Sequence, residues 1–188
     1  MRLTRAQIVA RYGRPFAGLK NRSLQIAALY APGGKGLRVG LHRARGVTIG
    51  QRVFIGTSAL LETSHPELLK IGDDVTIGVR VVIIAHWRET TLERLQTGTS
   101  HTVIIENNVY IGPGVIILPN VTLGEGCVVQ AGSVVTTSVQ KHMMVQGNPA
   151  RPIARCSVPL TLSTPLRRFY GGLRPIHRND HKDKSGPT

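Results

Sequence analysis

The chain is 188 residues long, carries 24 Lys and Arg against 10 Asp and Glu for a formal net charge of +14, and is only 4% aromatic. That length supports one hydrophobic core; two cysteines make no disulfide framework, and no apolar run approaches the roughly 20 residues of a membrane-spanning helix. No recognised nucleic-acid-binding motif accompanies the basic charge, so a specific nucleic-acid partner is not expected.

The charge is unevenly placed. Residues 1–45 hold ten Lys or Arg and no acid, residues 46–150 hold six against eight acids, and residues 151–188 hold eight against two. In the first segment Thr4-Arg5-Ala6-Gln7 has the form of a capping box, and Gly13 with Pro15 stops the short helix it would start. A second helix is predicted over about residues 22–30, ending before Ala31-Pro32-Gly33-Gly34. Residues 1–45 thus read as a basic helical cap. The same arm, with Leu3, Ile8, Val9 and Tyr12 among its basic residues, also suits weak contact with an anionic membrane surface.

From Ile49 an aliphatic residue recurs at every sixth position, in four triplets: Ile49, Ile55, Leu61; Ile71, Ile77, Ile83; Ile105, Ile111, Ile117; Leu123, Val129, Val135. Neither a helix nor a strand has that period. A small or β-branched residue sits four places on, from Val53 and Ala59 to Cys127, Ser133 and Val139, and Gly follows the anchor at 50, 56, 72, 78, 112 and 124. This is a hexapeptide repeat, and a fixed period names a solenoid before any local propensity does. Three hexads make one coil with a short strand on each side, the aliphatic residue points inward, and coils stack about 4.8 Å apart. Gly is expected where the turn needs a backbone conformation that a Cβ obstructs.

The count breaks twice. Leu61 to Ile71 is ten residues and Ile83 to Ile105 is twenty-two, so four and sixteen residues are inserted. Both breaks fall between the third hexad of one coil and the first of the next, so corner loops 62–70 and 86–101 leave the prism at the same corner. Long loops in a compact domain are commonly functional. Cys127 takes an inward slot, and Cys156 lies beyond the last coil. From residue 154 the hexad signal ends, Pro159, Pro165, Gly171, Gly172 and Pro175 punctuate the chain, and residues 154–188 read as an irregular basic arm. Within it, Thr164 to Tyr170 is open to either one helical turn or an arm across a neighbour.

Residues 46–153 resemble the hexapeptide-repeat acyltransferases, a family that includes galactoside, maltose, xenobiotic and capsule or O-antigen O-acetyltransferases. The resemblance rests on Tyr110-Ile111-Gly112, Leu118-Pro119-Asn120-Val121, Ala131-Gly132-Ser133-Val134-Val135 and Gly147-Asn148-Pro149-Ala150-Arg151. It implies an all-β fold, a left-handed parallel β-helix; a homotrimer; acetyl-CoA as acyl donor; and a sugar, glycan or other hydroxyl-bearing acceptor. N-acetylation of an amino sugar is the nearest rival, and a non-catalytic basic binding or scaffold protein is the reading from another class. A CoA thioester as donor places the protein in the cytoplasm, either free or peripheral at the inner membrane face.

By the same resemblance, His86 is the general base. A sugar hydroxyl is a poor nucleophile at neutral pH, and an imidazole that removes its proton during attack contributes roughly 10²- to 10⁴-fold. Glu62 and Glu89 are candidates to orient that ring, and with Trp87 they are the acceptor-side candidates. Tyr110, Gly112, Ala131, Thr136 and Arg151 match positions that hold the CoA. Thr137 stands where relatives often have Lys, leaving Lys141 or Arg155 to meet a phosphate. Pro113 has no N–H to offer an oxyanion, which turns attention to the N–H of Gly114. His65 and His101 share the corner with His86, a reminder of the zinc-binding γ-type carbonic anhydrases on this fold. The pair of ligands five residues apart that they use is missing here, so no metal is expected.

Overall fold

A six-residue repeat leaves room for one two-residue strand and one tight corner, and that is what forms in the computed structural model, which describes residues 15–86 and 102–176. The first coil consists of β1 (Thr48–Ile49), β2 (Phe54–Ile55) and β3 (Leu60–Leu61). The second is β4 (Leu69–Ile71), β5 (Thr76–Ile77) and β6 (Val82–Ile83). The third is β7 (Val103–Ile105), β8 (Tyr110–Ile111) and β9 (Ile116–Ile117), and the fourth β10 (Thr122–Leu123), β11 (Val128–Val129) and β12 (Val134–Val135). The strands stack in parallel into three faces: β1-β4-β7-β10, here face A; β2-β5-β8-β11 with later additions, face B; and β3-β6-β9-β12, face C.

Register follows the repeat. Ile49 pairs with Ile71, Ile71 with Ile105 and Ile105 with Leu123, so each anchor sits on the anchor of the next coil. Eleven of the twelve anchors are at most 3% exposed, and each buried aliphatic side chain contributes about 1.5–3 kcal/mol. Ile49, in the first coil, is partly buried. Cys127 and Ser133 fill their inward slots at 0% exposure.

The glycines have a different cause from the expected one. Gly56 and Gly112 lack the left-handed backbone conformation; that conformation falls two residues later, at Ser58 (φ 58°) and Gly114 (φ 68°). A Cβ on Gly56 would lie 2.5 Å from the backbone N of Val79, and one on Gly112 would lie 2.6 Å from the N of Ala131. Close approach of successive coils, not turn geometry, excludes the side chain.

The first coil has no coil above it, so the carbonyls of its anchors lack strand partners on that side. Helix α1 (Pro15–Tyr30) and helix α2 (Leu37–Arg45) cover this end. The described part of α1 already begins at Pro15, earlier than the helix predicted over 22–30. Helix α2, absent from the sequence reading, ends at Gly46 in the left-handed conformation (φ 110°), with the N–H of Val47 returning to the carbonyl of His42 at 3.2 Å. Its buried residues are Arg38, Val39, His42 and Arg45. Arg38 donates to the carbonyl of Ile55, Arg43 to those of Ile49 and Gly50, and Arg45 to those of Leu61 and Glu62. One arginine thus serves each anchor of the first coil. The capping box at Thr4 and the apolar positions Leu3, Ile8, Val9 and Tyr12 lie outside the described residues.

At the other end the arm is more ordered than its proline and glycine content predicts. Strand β13 (Met143–Gly147) continues face B in parallel, then a turn with a cis Asn148–Pro149 bond reverses the chain into β14 (Ala150–Cys156). Helix α3 (Leu166–Gly171) and β15 (Leu173–Pro175) follow, and β15 pairs antiparallel with β14. Phe169, 2% exposed, packs with Val128, Met144, Ala154 and Cys156 on the outside of face B. Thr164 to Tyr170 therefore resolves to a short helix folded on its own chain. His177 and the residues after it lie outside the described part.

Candidate active site

The corner between faces C and A carries both insertions. In the shorter one, Glu62 directly follows anchor Leu61, and a 3-10 turn, Pro66–Leu68, leads the chain back into β4. His86 stands one coil below, three residues after anchor Ile83. Stacking of the coils brings the two together: His86 Nδ1 lies 2.7 Å from Glu62 Oε1. The Glu62 side chain is fully buried, while that of His86 is 23% exposed.

Glu62 is held by its surroundings. Its Oε1 accepts the N–H of Ser64 at 2.8 Å and of His65 at 2.9 Å, and its Oε2 accepts the N–H of Ala85 at 2.7 Å. Burial alone pushes the carboxyl up. The N–H of His65, the His86 ring and the N–H groups of Ser64 and Ala85 outweigh it, so the group titrates below its ordinary value. A buried, ionised carboxylate 2.7 Å from Nδ1 favours the proton on that nitrogen, which leaves the opposite one, Nε2, as the basic one. The Glu62 side chain is turned to the ring and the loop and has no exposed surface. His65 packs edge-on against His86, ring centroids 5.1 Å apart. Trp87, Glu89 and His101 lie outside the described residues.

The residues expected to hold CoA fall in two places. Thr136 is exposed at the same C–A corner as His86, two coils further along, or about 10 Å at coil spacing. Beside it opens a cavity of about 430 Å³ lined by Thr137, Arg151 and Arg155 and by the apolar side chains of Val135, Val139 and Met143, among others. Strand β12 is the last strand of face C among the described residues, so its lower edge has no strand partner there and faces this end of the prism. Two guanidinium groups and an open strand edge fit a ligand with anionic phosphates and amides. Lys141 is elsewhere, on the A–B corner, 3.4 Å from Glu106 and 3.6 Å from Glu125; of the two substitutes for the missing lysine, Arg155 is the one beside Arg151.

Tyr110, Gly112 and Ala131 lie across face C from His86. Tyr110 is on face B, half-buried against the Phe169 cluster, and Gly112 and Ala131 stack on each other at the B–C corner. One chain does not bring them to the His86 corner. The N–H of Gly114 is already spent on the carbonyl of Val79 at 2.9 Å, so it is not an open oxyanion donor. The arginine cluster that caps the first coil was missed by sequence reasoning; the only signal was the spacing of Arg38, His42 and Arg45 on one helical face.

A family model described as "Bacterial transferase hexapeptide (six repeats)" matches residues 102–137. Galactoside O-acetyltransferase of Escherichia coli is 35% identical over 85 residues, 44% of this chain and 42% of its own length. Serine acetyltransferase 4 of Arabidopsis thaliana is 37% identical over 108 residues, 57% of this chain and 29% of its own. The chain spans about half the length of the curated relatives it matches. A hexapeptide-repeat acetyltransferase of Vibrio cholerae, solved in complex with acetyl coenzyme A, superposes with a TM-score of 0.60 at 23% identity, covering 78% of this chain and 91% of that one. The shared fold is a left-handed parallel β-helix.

Proposed function

We propose that this chain, a left-handed parallel β-helix whose residues 102–137 match the bacterial transferase hexapeptide model, transfers an acetyl group from acetyl-CoA to a hydroxyl of a sugar or glycan. The observation that carries this reading is the His86–Glu62 pair at the inserted corner. Nε2 of His86 takes the proton of the acceptor hydroxyl as its oxygen attacks the thioester carbonyl. The C–S bond then breaks, and the thiolate leaves as CoA after protonation. Glu62 holds the imidazole in the required tautomer and steadies the imidazolium while it lasts.

Arg151, Arg155 and Thr137 are the residues that would meet the phosphates, at the cavity two coils below His86. The acyl donor supplies the activated carbonyl. A neighbouring copy presenting its B–C corner to this C–A corner would bring Tyr110, Gly112 and Ala131 to the groove. That is the physical argument for a homotrimer, in which each prism supplies one wall of each site.

The test follows thiol release from acetyl-CoA at pH 7 to 8 against a panel of hydroxyl and amino acceptors, with wild type beside His86→Ala. Release that requires a hydroxyl acceptor and falls at least 10²-fold in the variant supports the reading. Release only with amino acceptors replaces it with N-acetylation. Undiminished turnover in His86→Ala removes the base assignment.

A further inference from the structure

We propose that Arg45, on the helical cap, is a positioning residue for the His86–Glu62 pair, so that the cap supports the chemistry as well as closing the solenoid. The inference rests on the reading of His86 as base. Arg45 is 7% exposed and feels the charge of the Glu62 carboxylate, but no direct ion pair joins them. Its donors go instead to the peptide groups that carry Glu62. Nη2 donates to the carbonyl of Glu62 at 2.6 Å and Nη1 to that of Leu61 at 3.1 Å. Nε donates to Oδ1 of Asn21, on α1, at 2.7 Å, and Nδ2 of Asn21 donates to the carbonyl of Thr63 at 2.8 Å. Nη1 also lies 3.0 Å from Nδ1 of His42.

Three successive carbonyls, 61, 62 and 63, are therefore each held from the cap, at the point where the insertion leaves the repeat. In the later coils the carbonyl of each anchor is taken by an N–H of the coil before it. In the first coil, whose Leu61 still pairs below with Ile83, the two helices take that place among the described residues. The direction of the Glu62 carboxylate depends on the backbone of residues 62–65, since that same stretch supplies two of its N–H donors. Releasing the carbonyls lets the carboxylate drift from Nδ1 of His86, and a misplacement of about 1 Å at a reacting group costs on the order of 10²-fold. Arg38 and Arg43 make similar contacts to the other two anchors, but neither touches the segment that carries Glu62.

The experiment uses the full-length protein and two readouts on Arg45→Met. The first is the imidazole ¹⁵N spectrum of His86, assigned by comparison with His86→Ala, which needs no acceptor. The second is turnover with acetyl-CoA and the acceptor found above. The expected result is a displaced Nδ1 signal for His86, a kcat lowered at least tenfold, and an unchanged KM for acetyl-CoA. Arg45→Lys, which reaches one carbonyl and not two, is expected to fall between. If Arg45→Met does not fold, Asn21→Ala, at the rim of the network, is read in the same way. An unchanged His86 spectrum, or a kcat within twofold of wild type in folded protein, overturns the inference. Full turnover in His86→Ala would instead remove the base assignment, while the spectrum would still report whether Arg45 positions the ring.

Discussion

His86 Nδ1 lies 2.7 Å from a carboxylate oxygen of Glu62, although 24 positions separate the two in the sequence. They meet because each follows a face-C anchor, Leu61 or Ile83, and those anchors pair directly. The pair is therefore a consequence of coil stacking. It is strengthened by the local backbone, whose N–H groups at 64, 65 and 85 converge on the same carboxylate.

Replacing Glu62 with Gln should lower kcat by on the order of 10²-fold and destabilise the fold by about 2 kcal/mol, because an amide NH₂ then faces a backbone donor. The carboxyl is depressed below its ordinary value of 4.5. Its stabilisation is thus complete above that value and is lost as pH falls through the folded one. Wild type and Glu62→Gln should differ in urea midpoint at pH 7 and converge under strong acid. Equal midpoints at pH 7 would show that the carboxylate is not held as described.

His42 should make the protein acid-sensitive in a higher range. It is 1% exposed, and burial, then the charges of Arg45 and Arg38, bring its pKa from 6.5 to about 4. Between those values the unfolded chain binds the proton and the folded one does not, so stability falls as pH falls. The loss from pH 7 to pH 5 should be about 2 kcal/mol, and His42→Gln should lack it. A pH-independent wild-type midpoint over that range would contradict the burial of a neutral ring.

Gly112→Ala and Gly114→Ala, two positions apart, should behave differently. At Gly112 the added carbon meets backbone of the next coil at 2.6 Å, and backbone cannot yield; roughly 3 kcal/mol is expected. At Gly114 there is nothing within 4 Å, and only the left-handed conformation at φ 68° resists, for about 1 kcal/mol. Thermal melts of the two variants check the order, and reversal would point to turn geometry as the cause.

Arg155→Ala should raise the KM for acetyl-CoA about tenfold, the loss of one charge-assisted hydrogen bond, with kcat retained. Lys141→Ala should leave both unchanged, since Lys141 sits with Glu106 and Glu125 on another corner. An effect of Lys141 equal to that of Arg155 would move the phosphates elsewhere.

Neither cysteine should react with thiol reagents in the folded protein at pH 8. Burial pushes the Cys127 thiol up to about 12 and the Cys156 thiol to about 11. Titration with an aromatic disulfide before and after guanidinium denaturation reads this directly, the expected counts being zero and then both thiols.

The sequence by itself determined the solenoid, its twelve inward anchors, the four coils and the shared corner of the two insertions, because a repeat with period six has only one way to bury its aliphatic residues. It also put His86 at the root of the longer insertion. Tertiary structure decided the rest. Which acid faces His86 depended on stacking across 24 positions, and periodicity does not say where a loop side chain points. Helix α2 escaped detection because it buries arginines and a histidine toward unpaired carbonyls, the reverse of the apolar pattern that marks a helix in sequence. Likewise the arm after residue 154 folds back because face B leaves a strand edge and an apolar patch to cover, a demand made by the finished prism and not by the residues of the arm.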